Sequence, residues 1–374
     1  MKPASTILSE TRLLLSSLAH EYVSPERRPQ RLLDEVETVL SVMLAIMFAH
    51  LLGAHNVGWA AFSGYMVMRT QLADTLNRAG LRIVGTVAGA LMAWWLVTWL
   101  ERSLVLMSIS LVMVGGGTLY AALTRQRSYA WLFTGLTFVM VVLDALREPS
   151  AQVHTFAITR ALEVVSGTAA CLIVNLLSAW TVRPRVHGRQ YFFRDRPAPS
   201  VMKAWERSAA MHALQAAAAL AILPFLSAWL KVESITGAAI TIMAVMMIPL
   251  ATLNGDRGAV RMRVLHRFAG SLLGAASAAI ALVFSHGNVP ATLLFLTVGI
   301  MVGRHVENSA KPFAYVGTQY SLVFLVVFVP DDLAAVSSIP GWERMGGIML
   351  GLAILVTVRF AIHYVQSRLG ARAG

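Results

Sequence analysis

The sequence is poor in charge and nearly devoid of cysteine. Asp, Glu, Lys and Arg make up 13% of its 374 residues, against about 25% in ordinary soluble domains, while 57% are hydrophobic and the mean hydropathy is +0.65. There is too little polar surface here to cover a soluble globule, so a soluble enzyme is excluded. The one cysteine, Cys171, lies inside an apolar run, which excludes a disulfide framework and a Cys-based metal site. No HExxH, GxSxG or GxxxxGK[ST] stretch occurs, and no Cys/His cluster. The sequence therefore gives no support for catalysis or direct ATP drive, and the expectation is a non-enzyme with no metal and no cofactor. A signal peptide is not expected either: residues 1–33 are polar, carry Glu10, Glu21 and Glu26, and have no apolar core ending in a small-residue cleavage site.

What the chain has in quantity is long apolar runs, each about the 20 residues needed to cross roughly 30 Å of hydrocarbon as helix. Twelve spans are predicted, near 36–53, 57–72, 82–100, 103–123, 129–145, 158–181, 208–230, 234–250, 266–285, 290–303, 312–329 and 341–362, the second and tenth being short. The expected fold class is thus all-α, a polytopic membrane protein. Ahead of the spans, Ile7, Leu8, Leu14, Leu15, Leu18 and Tyr22 fall near one helical face, which predicts a short amphipathic helix along the membrane surface before the break from Pro25 to Pro29.

A net charge of +12 would suggest nucleic acid in a soluble protein, but the basic residues are spread over short loops. With a cytoplasmic N-terminus, only Arg102, Arg147, Arg160, Lys231 and Arg344 of the 31 Lys and Arg fall on the outer side. This is the positive-inside asymmetry, and it predicts a multi-pass inner-membrane protein with both termini cytoplasmic. The lipid bilayer becomes the partner that explains the charge, and nucleic acid is set aside.

The longest polar segment, RPRVHGRQYFFRDRPAPS at 183–200, divides two stretches of similar length. The expected organisation is a cytoplasmic segment at 1–33, a six-helix half at 34–182, a basic cytoplasmic linker at 183–207, a second six-helix half at 208–365 and a tail at 366–374. Six spans per half give both halves the same orientation, a parallel repeat. The repeat is visible in residues: RAGLRIVGTVAGALMA at 78–93 matches RVLHRFAGSLLGAASA at 263–278, pairing Arg78 with Arg263, Arg82 with Arg267, Gly85 with Gly270 and Gly89 with Gly274. GWAAFSGYMVM at 58–68 resembles GAAITIMAVMM at 237–247, YAWLFTGLT at 129–137 resembles FAYVGTQYS at 313–321, and Glu163 and Glu343 each precede a glycine, Gly167 or Gly347, by four residues.

Glycines at i and i+4 share a helical face and let another helix approach closely, so Gly85, Gly89, Gly270 and Gly274 are expected at helix contacts. The arginines before them act as inner-interface anchors, as an anion-attracting vestibule formed by Arg78, Arg82, Arg263 and Arg267, or as both.

These features, the Arg-rich entry into Gly85-Thr86-Val87-Ala88-Gly89-Ala90 and Gly270-Ser271-Leu272-Leu273-Gly274-Ala275 with the aromatic-Ala-aromatic and Glu-x-x-x-Gly spans, resemble the fusaric acid resistance or aromatic acid exporter family. The resemblance extends from about residue 33 onward. It implies an inner-membrane exporter of aromatic and other carboxylic acids, acting on a small organic anion and often working with a periplasmic membrane fusion protein. Plant organic-anion channels are thought to be distant relatives. The large cytoplasmic domain that many members carry between the halves has no counterpart in residues 183–207, which puts any role of that domain in doubt here.

Intramembrane ionisable groups are functional candidates by default. Arg160 and Glu163 have i, i+3 spacing, suited either to a neutralised helix-entry pair or to proton uptake by Glu163 and, through the repeat, by Glu343. His154 has the pKa range for a proton group. Asp144, Asp331 and Asp332 read as solvated loop residues. For the substrate, a polar-aromatic stripe of Trp131, Thr134 and Thr137 has the expected counterpart Tyr315, Thr318 and Ser321, with Gln319 and Tyr320 adjacent; aromatic walls with a few hydroxyl or amide groups suit an aromatic carboxylate, though such residues also serve packing. Arg69, four residues after Tyr65, is a candidate for the carboxylate and equally for an interface anchor. Two other functions stay open: a passive organic-anion channel, and a non-transporting membrane scaffold of a larger complex.

Overall fold

The computed structural model describes residues 28–54, 56–100, 103–146, 150–187, 206–230, 235–255, 258–285, 288–309, 313–329 and 339–370. The surface helix expected before Pro25, together with Asp331 and Asp332, lies outside them. Among the described residues all regular structure is helical. Twelve principal helices follow in order: α1 (Arg28–Leu51), α2 (Val57–Val67), α3 (Leu72–Leu100), α4 (Leu104–Thr124), α5 (Ser128–Asp144), α6 (Ser150–Thr181), α7 (Arg207–Trp229), α8 (Ile235–Met246), α9 (Ala259–Ser285), α10 (Val289–Glu307), α11 (Ala314–Phe328) and α12 (Ile339–Gly370). Short helices at Arg183–His187 and Leu250–Gly255 accompany them among the described residues. Seven of the twelve, α3, α4, α6, α7, α9, α10 and α12, are long and apolar enough to cross a membrane by length and composition.

Three boundaries differ from expectation. The first helix begins at Arg28, because a proline in the first turn lacks only an N–H that would be unpaired there in any case, and Pro29 does not break it. Arg183 does not belong to a solvated linker: it is buried and pairs with Glu37 of α1, also donating from Nε to both Glu37 oxygens at 2.9 Å. The last helix runs through Gly370, well into the expected tail.

The four motif glycines build two matching helix contacts. A Cβ on Gly85 would lie 2.5 Å from the Ala130 carbonyl oxygen, and one on Gly89 would strike the Thr134 carbonyl, so α3 lies directly on α5. On Gly270 and Gly274 it would lie 2.5 Å from the carbonyls of Val316 and Tyr320, so α9 lies directly on α11. Small residues bring helices together in this way where lipid offers no hydrophobic drive. Gly167 of α6 packs on Ala60 and Ser63 of α2, and Gly351 of α12 packs on Ala238 and Thr241 of α8. In α4 a wide π-helical turn over Leu111–Gly116 brings Gly115 and Gly116 against Leu220 and Ala217 of α7.

By their glycine contacts the helices pair up in a register different from that of the sequence matches. Gly167 corresponds to Gly351, not to Gly347, which pairs Arg160 with Arg344 and leaves Gly347 opposite Glu163. Ala130 corresponds to Val316, which pairs Tyr129 with Tyr315 and Phe133 with Gln319. Trp131 and Tyr315 are therefore not counterparts, nor are Thr134 and Thr318. Ser63 corresponds to Thr241, and each accepts a hydrogen bond from its own buried arginine, Arg82 at 2.9 Å and Arg267 at 3.1 Å. A slip of one, two or four residues in an apolar helix costs little in composition, so composition does not fix register.

Candidate functional site

Between the helices that precede residue 188 and those that follow residue 206 lies a cavity of about 570 Å³. That is in the range of small-molecule sites, roughly 300–1,000 Å³. Matching helix faces form its walls. Trp59, Phe62, Ser63 and Met66 of α2 face Ile240 and Ala244 of α8; Arg78 and Arg82 of α3 face Arg263 and Arg267 of α9; Tyr129, Leu132, Phe133 and Leu136 of α5 face Tyr315, Thr318, Gln319 and Leu322 of α11. The i, i+4 spacing of each arginine pair turns both side chains to the same face, and the glycines one turn further bring the neighbouring helix against them.

The cations are held by neutral groups. The Arg78 guanidinium lies 4.9 Å from the Tyr129 ring centroid, and that of Arg263 lies 3.3 Å from Tyr315. Arg82 is 4.0 Å from the Phe133 ring and donates to Ser63, with a longer contact of 3.5 Å to the Tyr129 hydroxyl. Arg267, fully buried, donates to the Gln319 side-chain oxygen and to Thr241. Among the described residues no carboxylate lies within 4 Å of Arg82 or Arg267, and the Nε of each is buried without a hydrogen-bond partner. A buried guanidinium in apolar surroundings costs several kcal/mol unless an anion meets it. The site is thus electrostatically incomplete and suited to a carboxylate, with Phe62, Tyr129 and Phe133 offering aromatic faces.

Glu307 of α10 is the one carboxylate among the described lining residues. It accepts a 2.6 Å hydrogen bond from the Tyr65 hydroxyl and lies 3.6 Å from Arg69 and 3.5 Å from Arg304. Behind it, Arg304 donates to Asp34 at 2.8 Å, Asn308 donates to Asp34 at 2.7 Å, and His305 meets Glu35 at 2.7 Å. At the Glu307 end of the cavity a polar network thus ties α1 and α2 to α10. From the sequence, Arg304 reads as a loop anchor and Asp34, Glu35 and Glu307 carry no signal; the structure buries Arg304 and places Glu307 on the cavity wall.

Of the residues expected at the site, Arg69, Arg78, Arg82, Arg263, Arg267, Tyr315, Thr318, Gln319 and Thr137 line the cavity. Tyr65 stands behind Glu307. Trp131 does not reach the cavity: it is 41% exposed on the outer face of α5. Thr134 returns its hydroxyl to the Ala130 carbonyl at 3.0 Å and packs on Gly89. Glu163 is fully buried, 3.0 Å from Arg160 and accepting from the Asn56 backbone N–H at 3.2 Å. Its expected counterpart Glu343 is exposed, and so is His154, whose ring lies 5.4 Å from that of Trp94. Among the described residues no three His, Cys, Asp or Glu side chains come together to hold a metal ion.

The family model described as fusaric acid resistance protein-like matches residues 44–174 and 220–358. A 102-residue stretch is 32% identical to the p-hydroxybenzoic acid efflux pump subunit AaeB of Salmonella paratyphi A, covering 27% of this chain and 15% of that protein. The subunit of the same name from Edwardsiella tarda is 27% identical over 160 residues, 40% of this chain and 24% of the relative. The matches thus span less than a third of the length of these relatives. No solved structure matches.

Proposed function

The chain belongs to the fusaric acid resistance protein-like family, and from that premise we propose that it exports aromatic carboxylic acids across the inner membrane through the arginine-lined cavity. The observation that carries the reading is the pair Arg82 and Arg267, buried on opposite walls and held by hydroxyl, amide and aromatic groups with no carboxylate of the described residues within 4 Å. An exported carboxylate supplies the missing charge. Its ring lies against Phe62 and Phe133, and its oxygens accept from Arg267 and Arg82, each charge-assisted bond contributing about 1.5–3 kcal/mol.

In this reading the twelve principal helices all cross or enter the bilayer as two parallel six-helix halves, with both termini cytoplasmic and the Glu307 end of the cavity facing the cytoplasm. Arg69 and Arg78 form the vestibule there. Export is coupled to the proton gradient through Glu307, which lies 3.6 Å from Arg69 on the cavity wall. Glu163 serves to neutralise Arg160. Partnership with a periplasmic fusion protein is proposed by analogy to the pump subunits above.

The test is uptake of p-hydroxybenzoate into everted membrane vesicles carrying the full chain. Flux driven by an imposed pH gradient, abolished by a protonophore and by Arg82→Gln with Arg267→Gln, is expected. Undiminished flux after the gradient collapses would establish a passive anion channel instead. A resistance phenotype that survives both arginine substitutions would favour the scaffold.

A further inference from the structure

Four residues before Ser63 on α2, about 6 Å along the helix axis from the level of Arg82, the Trp59 indole meets two guanidinium groups. Arg160 of α6 and Arg344 of α12 each lie 4.9 Å from its ring centroid. These two arginines are counterparts, each seven residues before the glycine that packs on α2 or α8. Their surroundings are not alike. Arg160 has Glu163 one turn on, at 3.0 Å. Arg344 has Gly347 in that place, and Gly347 is taken up by close contact with Gly237, whose Cβ would lie 3.4 Å from the Gly347 Cα. Among the described residues no carboxylate comes within 4 Å of Arg344, and Arg267 and Arg160 are near enough to repel it. Its Nε and Nη2 atoms are buried and have no hydrogen-bond partner. Those two N–H groups form the side-on fork that receives a carboxylate in two parallel hydrogen bonds.

We propose that Arg344, packed against the cavity-lining Trp59, is a second anion station for the exported carboxylate, distinct from the Arg82 and Arg267 pair. Trp59 and the Arg160–Glu163 pair position the guanidinium, and its Nε and Nη2 fork binds the anion. The station rests on the exporter reading for the identity of its organic occupant; chloride shares the anionic chemistry and is the other source.

Equilibrium binding of radiolabelled p-hydroxybenzoate to the purified full chain in nanodiscs tests this, in chloride-free buffer and again with chloride added. Two molecules per chain are expected for the unaltered protein without chloride, one for Arg344→Gln, and two at reduced affinity for Arg344→Lys, which also controls for folding. Arg82→Gln with Arg267→Gln is expected to retain the Arg344 site alone. Loss of one bound acid on adding chloride, absent in Arg344→Gln, makes chloride a competing occupant of the same station. A single bound acid in the unaltered protein, unchanged by Arg344→Gln in either buffer, overturns the station while leaving the exporter reading intact. No acid bound in any variant, with a chloride-dependent thermal shift that Arg344→Gln removes, overturns the exporter reading and keeps an anion site at Arg344.

Discussion

The two walls of the cavity share a frame of cations and differ in what surrounds them. On the wall built by α2, α3 and α5, Arg82 stacks on Phe133 beside Phe62 and Trp59; on the wall built by α8, α9 and α11, Arg267 bonds to Gln319 beside Ile240, with Gly237 in the place of Trp59. Glu163 answers Arg160 on the first side, and Gly347 stands there on the second. A symmetric frame binds an anion without regard to its orientation. Under the proposed function the asymmetry gives the anion a direction, with an aromatic side for a ring and a polar side, richer in unanswered charge, for the carboxylate.

The largest effect expected from breaking this comparison falls on Arg267. It is fully buried and held by two neutral acceptors, whereas Arg82 also has a ring against it. Losing one or two charge-assisted bonds at about 1.5–3 kcal/mol each corresponds to roughly 10- to 100-fold or more in affinity. Arg267→Ala should reduce export at low acid concentration about 100-fold and Arg82→Ala about tenfold, measured as initial vesicle flux. Equal losses would show that the walls bind the carboxylate alike.

A second expectation concerns the frame itself. Gly89→Ala and Gly274→Ala each place a Cβ against a backbone carbonyl of the facing helix, at Thr134 or Tyr320. Each should lower stability by about 1–3 kcal/mol, the usual cost of overpacking, seen as similar drops in the melting temperature of the purified protein. A tolerant site on one side only would mean that the two glycine contacts are not equivalent.

The walls also make selectivity testable. Phe133→Gln should cost aromatic acids several-fold in flux, by roughly the 0.5–1.5 kcal/mol of an aromatic contact, and leave short aliphatic acids little changed. Gln319→Phe should do the reverse of adding preference: it removes an acceptor from Arg267 and lowers flux for both classes. If Phe133→Gln reduced both classes equally, the ring would have no particular wall.

The frame was legible in the sequence because it depends on spacing within single helices. Arginine pairs four apart followed by glycine pairs four apart fix which side chains share a face, and Arg78, Arg82, Arg263 and Arg267 line the cavity as those positions suggest. Partner choice across helices was not legible. Glu163 and Glu343 align by eye because each precedes a glycine by four, yet in α12 both Gly347 and Gly351 lie on one face, and only Gly351 meets the neighbouring helix as Gly167 does. Small residues repeated at i, i+4 satisfy the same close-packing face at either register. The polar network around Glu307 was hidden for another reason. A charge at the end of an apolar run looks the same in sequence whether it points to the interface or inward, and Asp34, Arg304 and Glu307 point inward.

The smallest expected effect separates the two registers of α5. By sequence, Trp131 is the counterpart of Tyr315; by contact, Tyr129 is. Two residues turn a helix by about 200°, so both cannot face the cavity, and the structure has Tyr129 under Arg78 while Trp131 is 41% exposed on the outside. An outward tryptophan on a membrane helix serves lipid contact and packing. Trp131→Ala should therefore change p-hydroxybenzoate flux less than twofold at matched protein levels. Tyr129→Ala, which removes a ring from Arg78 and a hydroxyl near Arg82, should lower it about fivefold, in line with the 0.5–1 kcal/mol or more of a cation–π contact. The reverse order, with Trp131→Ala the more damaging, would restore the sequence register and rotate the first wall so that its arginines meet a different set of rings.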